Sequence, residues 1–297
     1  MDPTCFICHG PDFDHLTPQY RRCLRCGHET QVAPAPQTLM LNETLRADVV
    51  RRGSSLERFQ GAVLDRVLAG RPRRLLVDIG SGSGKFLYRQ CRRFRRHCGI
   101  EITPAAIEFS RRELGLTIAT GLAAVDGEID AATAWHSFEH FPAPALEAFL
   151  ADLGAKMPEG ARLVVSVPNG GSFQYRLFRA HYAFFDLPNH PQQFTADSLL
   201  GLLAAHGFVR THTFVSWPYN VFGYAQGFLN LVMPEHNYAY QRLKRGTASR
   251  SLARDLAAAA LLPFVAPIAA LLALVDACCP AQQGVLTYGF EKRGSPA

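Results

Sequence analysis

Apolar positions along this chain fall into two alternating patterns. Short, mostly apolar runs at residues 75–79 (LLVDI), 129–134 (IDAATA) and 161–169 (ARLVVSVPN) read as strands. A run ending at Glu101, a short one before Gly121, and two later ones over 209–217 and 284–292 bring the predicted strands to seven. Helical signals separate them. Ser54-Ser55-Leu56-Glu57 has the form of a capping box opening a helix toward Leu68. Pro104 stands where proline favours the first helical turn, and residues 199–207 form a further helix. Strands alternating with helices predict an α/β chain built on a largely parallel sheet.

Two stretches depart from this rhythm. Residues 170–193 form a long connection carrying Phe173, Tyr175, Phe178, Tyr182, Phe184 and Phe185. A connection of that length serves as a lid or acceptor wall, or else its rings seal a core; both readings stand. Residues 256–275 (LAAAALLPFVAPIAALLALV) hold no charge for twenty positions, about the length of a bilayer span. Arginines and lysines between Arg242 and Arg254 precede them, as at a cytoplasmic membrane face. A single span would leave the strand over 284–292 across the membrane from the sheet it must join. The expectation is therefore a helical hairpin broken near Pro263 and Pro267, docked on protein or dipping into a membrane surface.

The 297 residues are 48% hydrophobic and 19% charged, enough for one large domain with a small appendage. A net charge of +6 admits an anionic partner without identifying one. The basic run from Arg89 to His97 reads as a solvated face. The start, MDPTCFICHG, lacks a secretory pattern, and eight cysteines then suggest a reducing compartment where thiols serve metals. The expected location is cytoplasmic, with the inner face of the membrane as its boundary case.

Four of the cysteines are patterned. Cys5-x-x-Cys8 and Cys23-x-x-Cys26 place two pairs fourteen residues apart, the spacing of a four-thiolate zinc site. Gly27 stands where such a turn needs positive φ. His9 and His28 are expected to be bystanders. A segment this short buries little core, so structural zinc would hold it together, and Ala33 to Pro36 (APAP) would form a stiff exit.

After the run at 75–79, Gly80, Gly82 and Gly84 alternate before a helix beginning near Lys85. A phosphate-binding P-loop needs Ser or Thr after Lys85, where Phe86 stands; a dinucleotide fingerprint read from Gly80 needs glycine at Lys85 itself. The turn instead resembles closely that of S-adenosylmethionine (SAM) methyltransferases. From Asp78 to about Phe208 the chain is similar to class I methyltransferases of the group that includes ubiquinone-biosynthesis O-methyltransferases and enzymes of polysaccharide clusters. The motifs VDIGSGSG, GIE, AATAWHSFEHFPAP, LVVSVPN and LPNHPQQFT carry the resemblance.

The resemblance implies a Rossmann-like seven-stranded methyltransferase sheet, with the zinc ribbon before it and an apolar helical insertion before the last strand. It implies a cofactor site of Asp78, Gly80, Ser81, Gly82, Gly84, Glu101, Ile102, Gly121, Trp135 and His136. In it Gly80 meets the methionine end of SAM, Glu101 the ribose hydroxyls and Ile102 the adenine, while Trp135 closes over the cofactor. The family often has an acid near Gly121, where this chain has Ala123 and Ala124.

WHSFEH, residues 135–140, leaves the carboxyl end of the predicted fourth strand, where open α/β sheets bind ligands. His136, Glu139 and His140 at i, i+3 and i+4 would share one face of a helical turn, with His190 as a fourth member. Related O-methyltransferases, including those acting on small-RNA ends, carry E-x-x-E-H and a distant histidine that hold a divalent ion. His136 replaces the first glutamate here, which favours zinc, iron or manganese over magnesium. Three readings stand: His140 or His190 as general base, a second divalent metal at His136, Glu139, His140 and His190, or a brace that leaves catalysis to alignment.

The chain thus divides into a zinc-ribbon module (1–36), a linker and N-terminal helix (37–72), a SAM-binding core (73–217), a helical, partly hydrophobic insertion (218–283) and a final strand and tail (284–297). The expected activity is methyl transfer to a small-molecule, lipid-linked or saccharide-linked acceptor, at a hydroxyl oxygen. Peripheral membrane contact would run through residues 256–275. The alternatives are an RNA methyltransferase gripping its substrate through the ribbon, a sugar C-methyltransferase, and a non-catalytic SAM-binding adaptor.

Overall fold

The computed structural model describes residues 4–17, 20–32, 45–186, 189–242 and 251–294. The expected APAP exit lies outside the described residues. The chain begins with β1 (Phe13–Thr17), β2 (Tyr20–Cys23) and β3 (Glu29–Gln31). Two helices follow, α1 (Ala47–Arg52) and α2 (Ser55–Val67), the second opened by the Ser54/Glu57 capping box. The central part then runs β4 (Leu75–Ile79), α3 (Lys85–Gln90), β5 (Arg96–Ile100), α4 (Pro104–Leu114), β6 (Ile118–Ala119), β7 (Ala131–Trp135), α5 (Ala143–Lys156) and β8 (Arg162–Pro168). Beyond it lie α6 (Phe173–Phe178), β9 (Gln192–Gln193), α7 (Ala196–Ala205), β10 (Phe208–Phe214), α8 (Trp217–Val232), α9 (Tyr238–Tyr240), α10 (Leu252–Cys278) and β11 (Val285–Lys292).

Seven strands form one sheet in the order β10-β11-β8-β7-β4-β5-β6. The middle is parallel, and β11 enters antiparallel between β8 and β10. Burial explains the pattern of β4 and β8: every residue of both is buried, so helices cover both faces. On one face Val77, Ile79, Val165 and Leu286 pack with Leu146, Leu150 and Leu203. On the other, Leu76 and Val164 pack with Leu64 of α2 and Phe86 and Leu87 of α3. The seven-stranded α/β expectation holds, with an apolar helical insertion before the last strand.

Two features differ from the sequence reading. First, the cysteine module forms a sheet β1-β2-β3-β9, in which Glu29 pairs with Gln193 and Thr30 with Gln192. It is joined edge to edge with the core, because β9 leaves a free edge that β3 completes. Second, residues 256–275 make no hairpin. Pro263 and Pro267 lie inside the continuous helix α10. Prolines remove helix hydrogen bonds, but the stripe packed toward α8 (Ala258, Leu261, Ala269, Leu272, Ala273) runs past both and holds the halves together. The hairpin is instead the antiparallel pair α8/α10. Leu229 and Met233 near the end of α8 meet Ala258 and Leu261, while Tyr224 Oη donates to Asp276 Oδ1 at 2.9 Å near the end of α10. Both ends of the pair therefore return to the sheet.

Candidate functional site

The glycine turn after β4 is built by left-handed backbone: φ is 69° at Gly80, 54° at Gly82 and 75° at Gly84. Such φ values suit glycine, and at Gly80 space adds a second constraint. A Cβ there would stand 2.5 Å from Ser137 Oγ, so the WHSFEH turn rests directly on the glycine loop. Gly80 N and Ser81 N both donate to Ile100 O, at 2.8 and 3.0 Å, locking the loop to β5. Glu101, just past β5, is buried; its Oε2 accepts from Gly82 N at 2.8 Å, and its Oε1 from Ile102 N and Thr103 N, both at 2.8 Å. A carboxylate has about four acceptor sites, so three backbone donors leave Glu101 capacity for another.

Asp78 is buried within β4, and its Oδ1 accepts from Thr133 Oγ1 at 2.6 Å, tying β4 to β7. Ser81 Oγ is buried with no hydrogen-bond partner among the described residues. Ile102 is 59% exposed, unusual for isoleucine and placed one residue beyond the second strand's acid. Gly121 has extended backbone, with open space where a Cβ would be. Trp135 meets Phe86 of α3 edge to face, at 5.4 Å between centroids, and its buried Nε1–H has no partner among the described residues.

The predicted helical turn over 136–140 is not formed as expected. His136 adopts φ 52°, and only Phe138–His140 winds into a single 3₁₀ turn. His136 N donates to Ser166 O at 2.8 Å, which holds the residue in this left-handed geometry against the usual cost for a Cβ. The side chains still converge. Ligating atoms of Glu139, His140 and His190 lie within 4.8 Å of one another. His136 stands at the rim of this group, its Nδ1 3.3 Å from Glu139 Oε1 and its ring 4.5 Å from that of Tyr219.

Hydrogen bonds fix the two inner imidazoles. His140 Nδ1 lies 2.8 Å from Asn189 O, and His190 Nδ1 3.0 Å from Phe184 O. Carbonyl oxygens only accept, so both Nδ1 atoms carry a proton. Burial pushes the His190 imidazole down to about 4, reinforced by His140, so it is neutral near pH 7. Burial alone would raise the Glu139 carboxyl, but the His136 imidazole beside it, chief among the surrounding imidazoles, brings it below the ordinary carboxylate range. Glu139 is 1% exposed, and its Oε2 finds no hydrogen-bond partner among the described residues.

The four cysteines of the N-terminal module converge as their spacing predicts, all Sγ atoms lying within 4.8 Å of one another. Cys5 and Cys26 are 3.7 Å apart and Cys8 and Cys23 3.5 Å. Zn–S bonds of about 2.3 Å at tetrahedral angles require S···S of roughly 3.8 Å, so the cluster fits zinc.

Sequence reasoning missed what joins this module to the histidines. Tyr20 Oη donates to His190 O at 2.7 Å, Thr195 Oγ1 to Cys26 O at 2.8 Å, and Tyr175 Oη to Glu29 Oε2 at 2.8 Å. His28 lies outside the four-thiolate group, but it has a packing role that its sequence position did not show: buried between Phe6 and Phe194, it bonds Gln192 through Nε2 at 2.6 Å. Tyr219 and Phe184 were also missed as neighbours of His136. No local motif marks these residues; only the long-range fold brings them together. Of the aromatic connection, Tyr175, Phe178 and Tyr182 seal a core with Tyr224, while Phe184 faces the histidines.

Comparison with known proteins agrees with this architecture. A search of curated proteins gives no match. Among solved structures, the mycolic acid cyclopropane synthase CmaA1, determined with SAH and CTAB, superposes with a TM-score of 0.54 at 16% identity over 86% of this chain and 99% of that one. The cyclopropane synthase MmaA2 from Mycobacterium tuberculosis gives 0.52 at 15% identity over the same shares, 86% and 99%. At these identities the likeness is one of fold. The amino pentose methyltransferase CalS10 from Micromonospora echinaspora is 29% identical, but over only 38% of this chain and 51% of its own, with a TM-score of 0.34. A family model described as "Methyltransferase domain" matches residues 52–213, more than half of the chain, and the protein therefore belongs to the methyltransferase domain family.

Proposed function

We propose that the protein is a SAM-dependent methyltransferase acting on a hydroxyl of a small, lipid-linked or saccharide-linked acceptor. The observation that carries this reading is the close approach of Ser137 to Gly80, which rests the turn leading to His140 on the glycine loop. Gly80, Ser81, Gly82 and Gly84 would let the cofactor approach the backbone. Glu101 would accept from its ribose, and Ile102, with the open space at Gly121, would flank its base. Trp135 and His136 would border its methionine end through the buried Nε1–H and Nε2. Bound SAM would supply a methyl group on cationic sulfur, so alignment with the nucleophile supplies most of the catalysis.

His190, which burial keeps neutral, or His140 takes the acceptor's hydroxyl proton on Nε2 as the oxygen attacks. The Nδ1 contacts to Asn189 O and Phe184 O hold each ring in the required tautomer. Cys5, Cys8, Cys23 and Cys26 would hold structural zinc, a closed site with no open position for substrate. A second reading has one observation in its favour. Glu139 is buried with an unpartnered Oε2 among three imidazoles, a donor set suited to zinc, iron or manganese. In that case Glu139, His140 and His190 would ligate the ion, with His136 at its rim.

Calorimetric titration with SAM tests the core of the proposal: no binding by folded protein would refute it. Methyl-tritiated SAM added to cell extract should label a small-molecule, saccharide or lipid fraction. Label in ribosomal RNA would favour an RNA acceptor instead, and a label stable on carbon a sugar C-methyl product. Metal analysis separates base from ligand: a second equivalent that His140→Asn removes supports the metal, and its absence supports the base.

A further inference from the structure

The helix α10 presents an apolar face to solvent that the fold does not use. Its inward stripe packs toward α8. Its outward residues are large and apolar: Leu256 is 61% exposed, Phe264 73%, Leu271 62% and Val275 57%. No charged residue interrupts positions 256–275. Soluble monomers rarely leave so continuous an apolar surface in water. Two ordinary explanations fail. A core helix would be mostly buried, yet the most apolar eighteen-residue window of α10 is 11% buried. A signal sequence would lie near the start, yet α10 occupies Leu252–Cys278.

We propose that this outward face docks into the interfacial layer of an anionic lipid bilayer, with α10 lying in the membrane plane. The sheet decides the orientation. β10 precedes the helix pair, β11 follows it, and the two are antiparallel neighbours from Phe208↔Lys292 to Phe214↔Thr287. Because these strands stay paired, α10 could cross only if α8 crossed beside it. But α8 has 16 residues including Asn220, Gln226 and Asn230, short of the roughly 20 mostly apolar residues a crossing needs. The helix therefore lies along the surface.

Charge selects the bilayer over a second copy of the chain. Residues 235–255 carry five basic side chains, Arg242, Lys244, Arg245, Arg250 and Arg254, against two acids. Glu235 pairs with Arg254 and Asp255 with Arg242, and the segment keeps a net charge of +3 (five minus two). The other end of α10 offers no complement: Asp276 is buried and bonded to Tyr224, and Cys278, Cys279, Pro280 and Ala281 are uncharged. Antiparallel self-pairing would set the basic end against that uncharged end. Parallel pairing would set like charge against like. Anionic headgroups bordering an apolar layer match both features at once.

The docked face and the candidate site share one helix pair, because α8 also carries Tyr219 onto the ring of His136. That the acceptor is lipid-linked follows from this arrangement and rests on the methyltransferase reading; the docking does not.

Flotation of the full chain tests the docking. It should rise with vesicles of phosphatidylcholine and phosphatidylglycerol, rise far less with phosphatidylcholine alone, and be released in part by salt. The double substitution Phe264→Asp and Leu271→Asp, on exposed positions, should keep its melting temperature and lose flotation at least tenfold. Should that variant misfold, hydrogen exchange on the parent serves the same purpose: residues 256–275 gain protection when the mixed vesicles are added. A parent that stays unfloated at low salt, a folded double variant that floats equally, or unchanged exchange over 256–275 overturns the proposal. So does a parent dimer that the double substitution splits and that ignores vesicles. SAM titration of the same preparations reports separately: a chain that floats but binds no SAM keeps the docking and loses the lipid-linked acceptor.

Discussion

At Gly80 the backbone stands at φ 69° with Ser137 Oγ 2.5 Å from where a Cβ would be. Gly80→Ala therefore meets two costs, about 1–2 kcal/mol for left-handed backbone and the displacement of Ser137. A lowered melting temperature with at least tenfold weaker SAM binding is expected. At His190→Gln and His140→Gln, methyl transfer should fall by a factor on the order of 10²–10⁴ if the residue is the base, with SAM affinity nearly unchanged by calorimetry. His190 also predicts a pH effect on stability. Burial, then His140, lowers its imidazole from 6.5 to about 4. Between those values the unfolded chain binds the proton and the folded chain does not, so stability falls as pH drops through that window. The loss reaches about 3 kcal/mol once both limits are passed. Urea midpoints at about pH 7 and about pH 5 should differ more for the parent than for His190→Gln; equal slopes would reject the assignment.

Among the elements, the seam between the cysteine module and β9 has the clearest consequence. β3 pairs with β9, and Tyr20 Oη reaches the carbonyl of His190 itself. If zinc holds the module, a chelator strong enough to remove it should loosen the segment carrying His190 before it disturbs the large sheet. Hydrogen exchange would show this as lost protection at residues 189–195 while β4 and β8 stay protected. Tyr20→Phe removes one hydrogen bond and should cost about 1 kcal/mol. It should reduce turnover without changing SAM affinity, a split that a remote structural defect would not produce. The helix α10 is the other element whose sequence and setting disagree in interesting ways: two prolines sit inside it, and packing along one stripe keeps it continuous.

For the whole molecule, the position of β11 matters most. The strand comes last in the chain yet pairs on both sides, with β8 and with β10. Ending the chain after Val232 would remove α10 and β11 together, opening the sheet between β8 and β10. No folded monomer is expected from that truncation, as judged by circular dichroism and gel filtration. An alternative in which β8 and β10 close directly would give a folded product and overturn this expectation. The candidate site follows from the same topology: Gly80, Glu101 and Ser137 all lie just beyond the carboxyl ends of the parallel strands β4, β5 and β7, where open α/β sheets bind ligands.

Much of this was written locally in the chain. The buried runs of β4 and β8, the glycines at 80, 82 and 84, the capping box at Ser54 and the paired cysteines each depend on near neighbours or on backbone geometry, and such signals survive in sequence alone. The convergence of the histidine group was legible in part, because the turn after β7 fixes where WHSFEH emerges. Its shape was not: the left-handed His136 is held by Ser166, thirty positions away, and the tautomer of His140 by the carbonyl of Asn189 in another loop. The role of His28, the docking of the module on β9 and the exposure of α10 likewise depend on contacts between distant segments. Local pattern determined which elements form and which residue types they carry; only tertiary packing decided which of those residues meet, because those contacts bridge separations that no periodicity records.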